Sequence, residues 1–324
     1  MGENKPGPSG RMLSEQAFLT EAPLLRELDG RLRAARTLVD WAIVRAQQGL
    51  YLARTSRLDE GLRIPGEIRA RFTGQEDPEV FFWIWLAEGV LDHYRSGGSR
   101  SLGLLMRAQA VATAMRRDDL AQYAAAWIAN AHFHDDDFAQ TFDWLLRSGL
   151  HEAQVPEAAC RASMVAAIAL QTCREDARAA VWFGRVRDIA RRIGDRASIM
   201  ASIENRAMMR LDRLWLEWSR GAAPSYTVAE IETELLGALQ YERVTGSEAF
   251  LHQGEVARIR LHVLRGELDE AWTRIGQLRD AGAGENFSTV RASQVLRWWL
   301  AVRTGADAAG VALSPDEAAR LIAG

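Results

Sequence analysis

Two histidines and three aspartates stand together in the segment His132-Phe-His134-Asp-Asp-Asp137, the densest run of chemically active side chains in the sequence. Imidazole nitrogens and carboxylate oxygens bind transition metals, and a bound metal can activate water for hydrolysis. His132, His134 and Asp135 are therefore candidates for a metal site. The same residues also fit a turn between two helices, in which an aspartate caps a helix that begins near Phe138. We favour the turn, and we predict no catalytic residue and no cofactor.

The step His134-Asp135 is similar to the paired step of HD-type phosphohydrolases, which are all-α proteins. That resemblance implies a further histidine upstream and a further aspartate downstream that converge on the same site. His93 and Asp143 can be nominated, but nothing in their spacing selects them. The sequence has no HExxH, GxSxG, GxGxxG or CxxC motif. An α-helical metal-dependent hydrolase is therefore only the second alternative.

Arginines recur between Arg174 and Arg192, and aromatic residues cluster between Phe81 and Trp85. Arg185 and Arg187 point about 200° apart on a helix, so the arginines do not form one face. A solvated outer surface explains them better than an anion site. Packing between helices explains most of the aromatic residues, because a chain with 11 tryptophans must bury most of them.

Composition excludes several classes of protein. The 324 residues carry 40 basic and 43 acidic side chains, and this net charge of -3 argues against a general nucleic-acid binder. Lys5 is the only lysine, which excludes a lysine Schiff base and a P-loop in the folded part. The bias toward arginine and alanine is typical of a high-GC bacterial genome. The most apolar stretch, residues 80–91, is shorter than the roughly 20 residues of a membrane span.

The two cysteines indicate the redox compartment. Cys160 and Cys173 lie in one predicted helix, about 20 Å apart, which is too far for a disulfide. Two free thiols fit a reducing cytoplasm. Residues 1–12 lack the apolar core of a signal peptide, so we predict a disordered tail and a cytoplasmic protein.

Long segments rich in Ala, Leu, Arg, Glu and Gln carry apolar residues at three- and four-residue spacing, which is typical of amphipathic helices. Strand-like alternation and Asn-Gly or Asp-Gly turns are missing from the sequence. First helices of successive pairs are predicted to begin near Thr37, Pro78, Asp118, Pro156, Asp195, Ser247 and Ser288. The steps are about 40 residues, except for one that contains the loop 219–227. This period predicts helical hairpins stacked in a solenoid.

Small and large residues recur at fixed places within these units. They are Gly49, Leu52 and Gly61 in the first unit, Leu91, Tyr94, Gly98 and Gly103 in the second, Ala167, Leu170, Ala179 and Phe183 in the fourth, and Ile259, Gly266, Leu268 and Ala271 in the last clear one. On these residues, region 37–305 resembles tetratricopeptide repeats, in the long form of MalT-type activators and GGDEF-associated repeat proteins. Two residues depart from this pattern. Trp127 stands where the family has a small residue, and Pro65 falls inside what should be the second helix of a pair.

The sequence therefore predicts an all-α fold, a right-handed α-solenoid of about seven antiparallel helical hairpins. Residues 1–12 are assigned to the tail and residues 13–324 to a single repeat domain. Within that domain we expect a capping helix over residues 13–36, repeats over residues 37–305 and a C-terminal cap over residues 306–324.

The resemblance implies that the first helices line a concave groove, which binds an extended or helical segment of another protein. We therefore predict a non-catalytic protein- or peptide-binding module with a regulatory or scaffolding role. In the family's register the groove residues are Trp85, Glu88, Asp92, Arg95, Arg161, Gln171, Asn205, Arg260 and Arg297. The first alternative is a regulator whose superhelix encloses a small molecule. We expect no direct nucleic-acid partner and no membrane span, and the sequence leaves the oligomeric state open.

Overall fold

A computed structural model describes residues 23–55, 57–74, 76–96, 99–150, 153, 155–245 and 251–280, together with residues 296 and 301. Every regular element in these ranges is an α-helix, which confirms the all-α prediction. The predicted tail, the C-terminal cap, the helix starts near Ser247 and Ser288 and the groove residue Arg297 lie outside the described residues.

The helices, numbered in chain order, form consecutive pairs after the first. They are α1 (Pro23–Ala34), α2 (Leu38–Leu52), α3 (Leu58–Arg71), α4 (Pro78–Ser96), α5 (Ser99–Ala114), α6 (Asp118–His134), α7 (Phe138–Arg147), α8 (Pro156–Thr172), α9 (Asp176–Arg192), α10 (Arg196–Ser219), α11 (Val228–Thr245), α12 (Leu251–Arg265) and α13 (Leu268–Asp280). The predicted starts at Pro78, Asp118 and Pro156 are confirmed as the first residues of α4, α6 and α8. Pro65 lies inside α3, as expected.

Polar side chains in front of several helices explain where those helices begin. Thr37, Asp77 and Asp195 each accept a hydrogen bond from the backbone N–H three residues further on, at 3.0, 3.1 and 3.1 Å. These bonds satisfy donors that the start of a helix leaves without an intrahelical partner. The capping residues therefore set the first turns of α2, α4 and α10.

Each hairpin packs against the next. The two helices of a pair contact each other, and the first helices α2, α4, α6, α8, α10 and α12 also contact one another in that order. One large apolar core runs from α2 to α8. Within it α6 buries Ala124, Ala125, Ala126 and Ala129, whose small side chains allow the neighbouring helices to approach closely.

The array curves back until its first hairpin meets its fifth. The backbone N–H of Leu24 at the start of α1 donates to the carbonyl of Gly194, just before α10, at 3.3 Å. Gly194 has a φ of 68°, and a Cβ there would lie 3.0 Å from Pro23. Leu24 and Tyr51 also belong to an apolar cluster that includes Ala197 of α10. We call these interactions, together with the ion pair of Arg54 and Asp195, the closing contact.

Candidate functional site

Side chains from three successive first helices meet on one side of the array. His93 comes from α4, Trp127, Asn130 and His134 come from α6, and Arg161 comes from α8. We call these five residues the inner cluster. At its centre the guanidinium carbon of Arg161 lies 4.0 Å from the centre of the Trp127 ring, which is a close cation–π contact.

The guanidinium of Arg161 is held by this aromatic ring. Its side chain is half-buried, and within the described part of the chain no carboxylate lies close enough for an ion pair with it. The residue borders a shallow recess of about 220 Å³, open mouth included, whose other walls include Arg54, Tyr123, Glu157 and Asp195. A cation fixed on a ring, with free N–H donors beside a recess, suits recognition of an anionic group.

Two imidazole rings lie next to Arg161. The ring centres of His93 and His134 are 4.9 Å apart, and Asn130 Nδ2 lies 3.0 Å from His93 Nε2. Burial, with smaller contributions from His134 and Arg161, lowers the pKa of His93 to about 3. Desolvation by neighbouring helices and the charge of Arg161 also lower the pKa of His134, although its side chain reaches the surface. His93 is therefore neutral at physiological pH, and Arg161 carries the positive charge of the cluster.

Below the recess, the ion pair of the closing contact fixes one wall. Arg54 Nη1 lies 2.6 Å from Asp195 Oδ2 and 2.8 Å from Ser198 Oγ. Burial alone would lower the pKa of Arg54, but the Asp195 carboxylate offsets that effect and raises it. The Arg54 guanidinium and the hydrogen bonds from Ser198 likewise hold the pKa of Asp195 low despite its burial. Both groups remain charged and neutralise each other. Arg161 is therefore the cation of the recess that has no carboxylate partner among the described residues.

The arrangement is suited to binding. Burial raises the pKa of Tyr123 to about 12, so its hydroxyl stays protonated at neutral pH. The inner cluster thus presents the donors of Arg161 next to neutral imidazole and amide groups, which matches a carboxylate or a peptide backbone.

Four predicted groove residues come from α4. Trp85 is half-buried and stacks on Phe81, with ring centres 5.9 Å apart. Glu88 forms an ion pair with Arg69 of α3. Asp92 is buried and accepts from Arg95 Nη2 at 2.7 Å, and Arg95 itself is exposed. Of the four, only Arg95 presents a charged group to solvent.

The remaining predicted groove residues within the described part lie on α8, α10 and α12. Gln171 is buried and donates to the carbonyl of Arg206 at 3.1 Å. Asn205 Nδ2 lies 3.6 Å from the sulfur of Met164, one turn along α8 from Arg161. Arg260 Nη1 lies 2.5 Å from Asp212 Oδ1, and the guanidinium also faces the Trp215 ring. Asn205 therefore joins the region of Arg161, whereas Gln171 and Arg260 are engaged within the chain.

The residues considered for metal binding separate in space. His132 Nδ1 lies 3.7 Å from Asp137 Oδ2, His134 turns to His93, and Asp135 is exposed. Within the described ranges, no three or more His, Cys, Asp or Glu side chains come together as a metal site would need. Asp137 Oδ1 accepts from the backbone N–H of Gln140 at 3.1 Å, which confirms the aspartate cap before the helix at Phe138.

Sequence reasoning did not select Arg54, Tyr123, Trp127 or Asp195 as part of this site. Arg54 and Asp195 stand 141 residues apart, and no local pattern connects them. Among these four residues, only Trp127 could have been noticed from the sequence, because the repeat pattern has a small residue at that position. That departure marks where the chain places a ring under Arg161.

Comparison of the chain with protein-family models, with curated proteins and with solved structures finds no match in any of the three. Among the described helices, none combines the length and the apolar character that crossing a bilayer requires.

Proposed function

We propose that the chain is a non-catalytic binding module, a right-handed tetratricopeptide-like α-solenoid whose inner face receives a segment of a partner protein. Its role is regulatory or scaffolding. The partner segment is extended or helical and carries a carboxylate side chain or a free carboxyl end. Recognition by a preformed surface suits this role, because little ordering is required when the partner binds.

The observation that carries this proposal is the state of Arg161. The residue is half-buried and stacked 4.0 Å from the Trp127 ring, and the described residues offer it no ion pair. A half-desolvated guanidinium without a carboxylate is under-satisfied in the free protein, and an incoming carboxylate supplies the missing acceptor.

The surroundings of Arg161 support a preformed site. Trp127 is buried, so the ring that carries the guanidinium cannot swing away. The buried ion pair of Arg54 and Asp195 fixes the opposite wall of the recess. A carboxylate that approaches Arg161 therefore meets a cation already in position, and less binding free energy is lost to ordering side chains.

Asn205 extends the proposed contact along the inner face on the α10 side, where its amide contacts Met164. Arg95 of α4 is half-exposed and pairs with Asp92. It points about 200° around the helix from His93, so its part in the proposed contact rests on the repeat register alone. Amide and guanidinium donors at such positions suit the carbonyl groups of a bound segment.

The test is a binding measurement with a panel of immobilised acidic peptides, together with their amide-substituted counterparts. We expect Arg161→Ala to weaken binding of the acidic peptides by about tenfold or more, because a hydrogen bond to a charged group is worth about 1.5–3 kcal/mol. Arg95→Ala and Asn205→Ala should weaken binding less.

Arg178→Ala is the matched control, since it removes an exposed arginine of α9. Helical content should stay nearly unchanged in all four variants, and so should the melting temperature except in Arg95→Ala, which leaves the buried Asp92 carboxylate without its cation and should melt lower. The assignment of the inner face is wrong if Arg161→Ala, Arg95→Ala and Asn205→Ala all bind like the parent protein, or if Arg178→Ala weakens binding equally.

A second candidate function is a regulator that binds a small anion, and the closing contact favours it. That contact joins α1 to the turn before α10, and its ion pair of Arg54 and Asp195 lines the recess beside Arg161. The recess of about 220 Å³ consists mostly of open solvent at its mouth, so a small carboxylate would lie at the rim beside Arg161 and not in an enclosed cavity. Stabilisation of the protein by free mono- and dicarboxylates, without any peptide affinity, would favour this function over the first.

A further inference from the structure

Glu157 and Arg161 carry opposite charges on the same side of α8. They stand four residues apart, about 40° around the helix from each other, so their Cβ atoms lie about 5–6 Å apart. Both side chains are half-buried, and both line the recess that Arg161 borders. The two charges therefore face the same opening.

These two residues do not form an ion pair with each other. A glutamate that precedes a basic residue by four positions is the favourable order for such a pair within a helix. The Arg161 guanidinium instead lies 4.0 Å from the centre of the Trp127 ring, and no described residue forms an ion pair with either side chain. The contact with Trp127 thus separates two charges that the sequence would otherwise pair.

The other charged walls of the recess already neutralise each other. Arg54 Nη1 lies 2.6 Å from Asp195 Oδ2. Burial raises the pKa of Tyr123 to about 12, and the Glu157 carboxylate contributes to that rise, so a protonated hydroxyl lies near Glu157 at neutral pH. Among the described residues that line the recess, Glu157 and Arg161 are therefore the two charges that a ligand can still pair with.

A ligand that carries only a carboxylate is poorly matched to this pair. When it binds Arg161, its charge lies within the same small recess as the Glu157 carboxylate, at a distance on the order of the Debye length of 10 Å, so salt screens their repulsion only in part. A ligand that also carries an ammonium or guanidinium group replaces this repulsion by a second attraction.

We propose that the segment bound at the inner face carries a basic residue beside its carboxylate, so that the carboxylate pairs with Arg161 and the basic side chain pairs with Glu157. This inference rests on the proposed function, because it assumes that Arg161 receives a carboxylate. Residues two apart on an extended segment project from the same side about 6.5 Å from each other, and residues four apart on a helix do so at about 5–6 Å. Both spacings match that of Glu157 and Arg161, and the open mouth of the recess admits both side chains from its rim.

The test measures the affinity of the parent protein for labelled peptides that differ at one position. One peptide carries an aspartate and a lysine two residues apart, and its counterparts carry alanine or glutamate in place of the lysine. A second set, in an alanine-rich helical peptide, has a spacing of four residues. In one of the two sets we expect the aspartate–lysine peptide to bind about two- to fivefold more tightly than the alanine counterpart, as one further ion pair allows. The glutamate counterpart should bind most weakly.

Glu157→Gln removes the carboxylate charge while it keeps the size of the side chain. The aspartate–lysine peptide should bind this variant about two- to fivefold more weakly than it binds the parent, whereas the aspartate–alanine peptide should bind it at least as tightly. Glu175→Gln is the matched control, since it removes an exposed carboxylate beyond the far end of α8 and should leave the preference between the two peptides unchanged. Circular dichroism should show the parent helical content in both variants.

Two results overturn the inference while the proposed function stands, provided that Arg161→Ala still weakens binding. One is equal affinity of the parent for the aspartate–lysine and aspartate–alanine peptides in both sets. The other is a Glu157→Gln variant that binds both peptides more tightly, because Glu157 would then compete for Arg161 within α8 and would not receive the lysine. If no peptide binds, or if Arg161→Ala has no effect, the proposed function is contradicted and this inference falls with it.

Discussion

Arg54 and Asp195 form an ion pair at 2.6 Å although 141 residues of chain lie between them. Their side chains are 11% and 3% exposed, so each charge depends on the other for its solvation. Stacked hairpins usually contact only their neighbours, and their stability is then nearly a sum of local terms. This pair links the first hairpin directly to the fifth, and we therefore expect the residues from α2 to the start of α10 to unfold together.

Replacing Arg54 by alanine should lower the free energy of unfolding by about 3–5 kcal/mol, because it leaves the buried Asp195 carboxylate without its cation. Arg57→Ala is the control, since Arg57 pairs with Glu60 on the surface and should cost less than about 1 kcal/mol. Urea unfolding followed by circular dichroism measures both. Equal effects of the two substitutions would contradict the structural role of the closing contact.

Gly89 and Gly103 should respond in opposite directions to replacement by alanine. A Cβ at Gly89 of α4 would lie 2.8 Å from two side-chain atoms of Leu105 and 3.2 Å from its backbone nitrogen. We expect Gly89→Ala to destabilise the protein by about 1–3 kcal/mol through overpacking of α4 against α5. At Gly103 no atom lies within 4 Å of a new Cβ, so Gly103→Ala should stabilise α5 by up to about 1 kcal/mol. Thermal unfolding distinguishes the two, and a loss of stability in Gly103→Ala would be inconsistent with this packing.

His93 should make the protein less stable in mild acid. Burial lowers its pKa to about 3 in the folded protein, whereas an unfolded chain titrates near 6.5. Between about pH 6.5 and pH 3 the His93 ring is therefore protonated in the unfolded state but not in the folded state. The free energy of unfolding consequently falls as the pH drops below about 6.5. At pH 5 this contribution is on the order of 1–2 kcal/mol.

The comparison of the parent chain with His93→Gln isolates that contribution, because glutamine keeps an acceptor for Asn130. The variant should lose less stability between pH 7 and pH 5. In NMR spectra of the folded parent, the His93 ring signals should stay constant from pH 7 to pH 5. A midpoint above pH 5 would show that the ring is protonated in the fold.

Glu204 should have the opposite dependence on pH. It is buried in α10, and neither carboxylate oxygen has a hydrogen-bond partner among the described residues. Burial and the nearby Glu242 carboxyl raise the pKa of Glu204 well above its usual value. An acid whose pKa is raised by folding favours the folded state at low pH, and that contribution is lost as the pH rises.

Glu204→Gln removes the ionisation while it keeps the shape of the side chain. The variant should be more stable than the parent by roughly 1–3 kcal/mol at pH 8, and close to it at pH 4. Glu76→Gln, at an exposed position, should leave stability unchanged at both values. A destabilised Glu204→Gln variant at pH 8 would mean that the carboxylate is needed in its charged form.

Local physical rules were sufficient to predict where many helices begin. Pro78, Asp118 and Pro156 were expected as starts and are starts, because the fixed φ of proline and the acids in the first turn act within a few residues. The cap at Asp137 was predicted for the same reason. Periodicity also predicted which segments pair, since an amphipathic hairpin buries its apolar face only against the next one.

The site was predicted only in part, because it depends on distant segments. Arg161 was named as a groove residue and stacks on Trp127 in the inner cluster, while its part in binding stays a prediction. Asp92 and Gln171 were also named as groove residues, but both are buried within the chain. A repeat register predicts the direction in which a side chain points from its helix, and it does not predict whether neighbouring helices cover that side chain. The ring of Trp127 under Arg161 could not be predicted, because it requires the relative rotation of α6 and α8.

A tether between the first hairpin and the fifth also changes how the molecule bears mechanical load. An open stack of hairpins extends like a spring, with each joint yielding a little under tension. Here a pull applied between α1 and α9 is opposed by the hydrogen bond of Leu24 to Gly194, and one between α2 and α10 by the ion pair of Arg54 and Asp195. Elastic extension under load is therefore expected only in the hairpins beyond α10. Single-molecule stretching between residues 23 and 195 should first show one abrupt rupture of the closing contact, followed by a gradual lengthening of the chain between these residues.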